Sequence, residues 1–308
     1  MSDSLDTVTG ADPVTIRAAV TIRKNWDDVG LTGEFLARNL STGEQLGFGT
    51  GVLLPLASVA KVPLALVVLH AIAIGTLDAA HPVRVDPATS SFGATGLSAF
   101  RYPAQVAVQD LVYLMLAVSD NAAADALLDL IGLEEINHRL ADWEVHDLRF
   151  RHRFQTMYDC AVGVAGDDFR LALDLAIEDD AQDRHRIESL DVAKANVGSA
   201  PALVSLLERV WTDRIGNPWA TRELRTLMGR QIYTHRLASE LQTDDFAVAA
   251  KTGTFLNLRH EIGVVRTNSG DQIAIAALTR SRQRALVQQQ ADLAIGAAAR
   301  TAVALLAS

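Results

Sequence analysis

The chain has 308 residues, 49% of them apolar and 21% charged, with a formal net charge of −9. This is the composition of a globular protein able to bury a large core, and it excludes disorder as the main state. Lys and Arg are scattered among the acids, which removes the basic stripe a nucleic-acid binder needs, and the single cysteine, Cys160, excludes an intramolecular disulfide and a Cys-based zinc site.

The first six residues, Met-Ser-Asp-Ser-Leu-Asp, carry neither the basic nor the apolar part of a signal peptide. A cytoplasmic location is therefore expected, or a secreted one if the N-terminus was processed or removed. Residues 1–12 read as a flexible N-terminus. Asp12-Pro13 is a helix cap followed by proline at the first helical position, so a helix is predicted over 14–28. Segments 34–39 and 45–48 flank Ser41-Thr42-Gly43 and predict a hairpin.

A helix is predicted from Ser58 to its stop at Gly75. Its most apolar part, 62–74, is too short to span a bilayer and contains His70, so it reads as buried. Three helical patterns follow over 104–141, broken at Ser119-Asp120-Asn121 and at Gly132, and two more lie at 201–211 and 219–229. The C-terminal quarter changes character. Segments 246–250, 261–266 and 272–278 predict short strands, and an alanine-rich helix closes the chain over 287–306. Strands at both ends with helices between them predict an α+β fold, in which one antiparallel sheet carries an inserted helical subdomain.

Three short motifs lie in order along this framework: Ser58-Val59-Ala60-Lys61, Ser119-Asp120-Asn121 and Lys251-Thr252-Gly253. A serine hydroxyl is a weak nucleophile until a base takes its proton. Lys61, three positions on, lies one helical turn away on the same face, within hydrogen-bond reach of Ser58. Lysine serves as a base only if burial or a second cation lowers its pKa, and Lys251 supplies the second cation. Ser119 then relays a proton to a leaving amine in the field of Lys251. The N–H groups of Ser58 and Thr254 are the expected oxyanion hole. Gly253 leaves room for a substrate backbone. No Gly-x-Ser-x-Gly elbow occurs, His260-Glu261 has no second histidine at zincin spacing, and Gly47-Phe48-Gly49-Thr50-Gly51 lacks the spacing of a phosphate loop.

These motifs, their order and the gap of about sixty residues between Ser58 and Ser119 resemble the class A β-lactamases and the related penicillin-binding proteins. The resemblance covers nearly the whole chain from about residue 14. It implies an α/β sandwich with an all-α subdomain, in which an antiparallel sheet of about five strands is flanked by the terminal helices. One domain, 13–308, would comprise a sheet part, 13–57 plus 240–308, and a helical part, 58–239. The implied activity is that of a serine hydrolase cleaving a β-lactam or related amide through a Ser58 acyl-enzyme. Ser58, Lys61, Ser119 and Lys251 would be catalytic, with Asn121, Thr252, Gly253, Thr254 and Arg259 binding substrate. His260 is a rival to Arg259. No cofactor or metal is implied, and the expected partner is a small-molecule or peptide-like substrate, not a membrane or nucleic acid.

The sequence departs from this family where the glutamate that activates the deacylating water is expected. Counting forward from Ser119, its place falls at Gln155, which can hold a water but cannot take its proton. The stretch after it, 160–195, is longer than the family predicts and offers Glu178 and Glu188 as substitutes. Three readings follow: a hydrolase that turns over, a slow-deacylating covalent penicillin-binding or sensor protein, and a peptidase or esterase using the same nucleophile.

Overall fold

A computed structural model describes residues 8–10, 12–179 and 184–307. Strand β1 (Val8–Gly10) leads into helix α1 (Pro13–Asp28), whose start is fixed by a reciprocal cap between Asp12 and Thr15. Strands β2 (Leu31–Asn39) and β3 (Gln45–Phe48) form the predicted hairpin, and β4 (Leu54–Pro55) precedes a 3₁₀ turn, Ala57–Ala60. Helix α2 (Lys61–Ala73) continues from that turn. A ribbon of β5 (Pro82–Val85) and β6 (Ala104–Ala107) then leads to α3 (Val108–Ala117), α4 (Asn121–Ile131) and α5 (Leu133–Asp142). Strand β7 (Leu148–Arg149), helices α6 (Phe154–Ala165) and α7 (Phe169–Glu178), strand β8 (Val197–Gly198), and helices α8 (Ala200–Trp211) and α9 (Pro218–Met228) complete the middle of the chain. The C-terminal part is β9 (Phe246–Phe255), β10 (Leu258–Thr267), β11 (Gln272–Ser281) and α10 (Gln289–Leu306).

The main sheet is antiparallel, with six strands in the order β1-β3-β2-β11-β10-β9. The expected five become six because Val8–Gly10, placed by the sequence in a flexible terminus, pairs with β3. One face of the sheet packs on α1 and α10, where Trp26 meets the edges of Phe35 and Phe48 at 5.8 and 5.1 Å. The other face packs on the helical middle. Because both faces are covered, β10 and β11 are buried along most of their length and lack a simple alternation.

Helix α2 is the axis of the helical part. Its first nine residues are all buried, as expected of a helix that is apolar all round. Two local expectations change. Ser58 sits in a 3₁₀ turn, so the α-helix begins at Lys61 and not at the serine. Lys251 lies within the ten-residue β9, not at the end of a short strand, because the ladder with β10 continues from Phe246 to Phe255.

Candidate active site

The three motifs converge on one cleft between the helical part and the open edge of β9. Its lining includes Ser58, Ser119, Asn121, Thr252 and Thr254, together with the loop at 93–95 and Tyr158, Tyr233 and His235. Two backbone positions here are left-handed and are not glycine: Ala57, just before the serine, at φ 46°, and Ser119 at φ 60°. Such conformations cost about 1–3 kcal/mol each and persist where the surroundings fix them.

Lys61 is fully buried, and its ammonium donates to Ser119 O at 2.7 Å, Asn121 Oδ1 at 2.6 Å and Ser119 Oγ at 3.4 Å. These three acceptors take its donors, and the expected hydrogen bond to Ser58 Oγ is not among them. The ammonium is drawn instead to the Ser119–Asn121 loop, whose carbonyl and amide oxygens accept from it. Burial lowers the Lys61 pKa to about 7, against the opposing charges of Asp120 and Asp125. Of the two causes expected from the sequence, burial and Lys251, burial is the main one.

Lys251 is also fully buried and donates to Ser119 Oγ at 3.0 Å and Thr252 O at 2.9 Å. Burial, and then the Lys61 charge, push its pKa well below the ordinary lysine value, while Glu261 opposes them. Ser119 Oγ thus faces two lysine nitrogens, and its own proton is left for the cleft. Asp120 holds this loop in place. Its carboxylate caps α4 through the N–H groups of Ala122 and Ala123 and accepts from Leu97 N and Ser98 Oγ.

The outer edge of β9 carries the acceptor side. Thr252 N–H points away from β10, because it donates to Gln231 Oε1 at 2.6 Å. Two residues on, Thr254 N–H faces the same open edge by the period of the strand, and Thr254 lines the cleft with Ser58. Gly253 has a different role from the one expected. A Cβ there would lie 3.0 Å from both Leu56 O and Val59 N, so this glycine lets the serine turn, not a substrate, close on the strand.

Arg259 does not reach the cleft. Its guanidinium is buried, donating to Asp292 Oδ1 at 3.2 Å and to Leu286 O. His260 is further in, with Nε2 donating to Pro55 O and Nδ1 accepting from Thr279 N; burial lowers its pKa to about 3. The cation behind the cleft is instead Arg236, which sequence reasoning missed. It donates to Thr254 Oγ1 at 2.8 Å, Asp292 Oδ1 at 2.8 Å and His260 O at 2.8 Å. The segment before it, Gln231-Ile232-Tyr233-Thr234-His235, is rich in polar and aromatic side chains, and Gln231, Tyr233 and His235 reach β9 or the cleft, but nothing in its pattern singles out Arg236.

Gln155 lies in the first turn of α6, but its amide is engaged elsewhere. Oε1 accepts from Phe92 N at 2.6 Å, and Nε2 donates to Asp159 Oδ1 at 2.7 Å. Glu178 and Glu188 are more than half exposed and pair with Arg186 and Lys194 on the surface. Among the described residues no carboxylate hydrogen-bonds to Lys61; the ring of Phe154 lies over its nitrogen, 5.0 Å from the centroid. One turn on, Tyr158 faces the cleft and accepts from Asn121 Nδ2 at 3.4 Å.

Residues 17–306 match the sequence model of the β-lactamase enzyme family. The β-lactamase regulatory protein BlaB of Streptomyces cacaoi is 41% identical over 285 residues, spanning 88% of this chain and 91% of that one. Among solved structures, a β-lactamase from Sphaerobacter thermophilus superposes with a TM-score of 0.76 at 17% identity, covering 94% of this chain and 97% of its own. PBP-A gives 0.75 at 19% identity, covering 97% and 98%. The TLA-3 extended-spectrum β-lactamase gives 0.76 at 16% identity, covering 96% and 100%. At such identities these structures establish a shared fold. Among the described residues, no helix is long and apolar enough to cross a membrane.

Proposed function

The chain belongs to the β-lactamase enzyme family, and we propose that Ser58 attacks a β-lactam or related amide and then holds the acyl group for a long time. The observation that carries this reading is the pair of buried lysines meeting at Ser119 Oγ beside Ser58. Lys61, neutral in part near pH 7, takes the Ser58 proton as Oγ bonds the carbonyl carbon. The oxyanion faces the N–H groups of Ser58 and Thr254. As the C–N bond breaks, Ser119 gives its proton to the leaving nitrogen and regains one from Lys61.

Release of the acyl group needs water and a base. Lys61 has the Phe154 ring beside it and hydrogen-bonds to no carboxylate among the described residues, which favours slow release. A relative named as a β-lactamase regulatory protein fits a role in which the adduct is a signal. The second reading is a hydrolase that turns over, favoured by the low pKa of Lys61, which lets that residue serve the water step as well.

Incubation with a chromogenic cephalosporin, followed by both absorbance and intact mass, separates the two. A persistent adduct with little turnover supports the covalent receptor, and rapid turnover supports the hydrolase. Neither signal overturns both readings for this class of substrate.

A further inference from the structure

The cleft wall contributed by α6 is aromatic. Phe154 covers Lys61 from one side, and Tyr158 stands one turn along with its hydroxyl at Asn121. The Tyr158 ring is held from two other segments, by the edges of Phe92 at 5.0 Å and Phe255 at 5.6 Å. Asn121 is tied in turn, with Oδ1 on Lys61 and Nδ2 shared between Phe92 O at 2.8 Å and the Tyr158 hydroxyl.

Hydrolysis of a Ser58 ester requires a water beside these same groups. Its proton passes to Lys61 Nζ while its oxygen bonds the acyl carbon. The C–Oγ bond then breaks, Oγ recovers the proton from Lys61, and a carboxylic acid leaves. Asn121 is the side chain placed to hold that water, since it touches Lys61 and lines the cleft with Ser58. A held water needs two to four polar partners and its own space. The clamped ring takes the space, and its hydroxyl takes one of the partners.

We propose that Tyr158 sets the lifetime of the Ser58 acyl group by filling the place beside Asn121 that hydrolytic water would occupy. This rests on acylation of Ser58 as argued above. Tyr158 is a shielding residue: it leaves acylation to Lys61 and Ser119 and acts on the water step.

The test loads wild type, Tyr158→Phe, Tyr158→Ala and Phe92→Ala with a cephalosporin, removes the excess, and follows adduct loss by intact mass. Tyr158→Ala is expected to lose the adduct about tenfold faster or more, while Tyr158→Phe, which keeps the ring, stays within about twofold of wild type. Loss from Tyr158→Ala should also speed up as pH rises through about 7, where Lys61 becomes free to accept the water's proton. Phe92→Ala, at an exposed position that tolerates truncation, loosens the same ring and shortens the lifetime by a smaller factor. Wild-type lifetimes in both alanine variants, or equal shortening in Tyr158→Phe and Tyr158→Ala, overturn the assignment. A wild type that takes no adduct overturns the acylation reading itself, and that outcome is seen before any lifetime is measured.

Discussion

Lys61 and Lys251 donate to the same oxygen, Ser119 Oγ, at 3.4 and 3.0 Å. Two buried ammonium groups so close to one hydroxyl repel each other, and burial already disfavours each charge. The arrangement keeps a neutral amine accessible near neutral pH, which an isolated surface lysine does not offer.

The rate of adduct formation should therefore rise with pH through about 7 as Lys61 loses its proton. Measured from pH 5 to 9, the second-order rate constant is expected to climb about tenfold per pH unit on the acid side and then level off. A flat profile would remove Lys61 from the role of base.

Ser119→Ala should slow acylation by about a hundred- to ten-thousand-fold, the usual range for a lost proton-transfer group. Stopped-flow or mass-based acylation kinetics measure this. A loss below about threefold would mean that the leaving nitrogen takes its proton elsewhere.

Arg259→Ala should act on stability and not on the substrate. Its partner Asp292 keeps Arg236, so the expected cost is about 2 kcal/mol, with the acylation rate of the folded protein within about twofold of wild type. Denaturant unfolding and acylation kinetics on the same variant decide the point; a large rate loss at unchanged stability would restore Arg259 to the site.

Gln155→Glu should leave the adduct lifetime unchanged. The side chain reaches Phe92 N and Asp159, so a glutamate would face the Asp159 carboxylate and not the ester. Its cost in stability is about 0.5 kcal/mol, as for like charges one turn apart on a helix. Adduct lifetimes check this, and faster release would return the family's glutamate position to Gln155.

Glu34 ties the turn before β4 to the start of α8, accepting from Val52 N at 2.5 Å and Ala200 N at 2.8 Å. Burial raises its pKa from 4.5 to about 7, so its contribution is complete below pH 4.5 and is lost as pH rises through 7. Glu34→Ala strands one buried and one half-buried donor and should cost about 3 kcal/mol at pH 5, less at pH 8. Thermal unfolding at both pH values reads the difference; equal losses at the two would show that the carboxyl does not titrate between them.

Much of this architecture is legible in local sequence. Asp12-Pro13 marks the start of α1, Ser41-Thr42-Gly43 marks the hairpin, and the three motifs mark the residues that meet in the cleft. What escaped depends on contacts between distant segments. Arg259 and Arg236 both bond Asp292 of α10, and only Arg236, which comes from a segment outside the sheet, reaches Thr254 Oγ1. Gln155 and Tyr158 lie on adjacent turns of α6, so counting from Ser119 could not say which faces the ester. The extra strand β1 is three residues long and gains its place from pairing with β3.

The most direct test of the account is to locate the adduct. After exposure to a cephalosporin, the protein is digested and the modified peptide is sequenced by mass spectrometry, with Ser58→Ala as the control. The account predicts one acyl group per chain, on Ser58, and none on the variant. An adduct on another residue, equal labelling of Ser58→Ala, or no labelling of the wild type would contradict it.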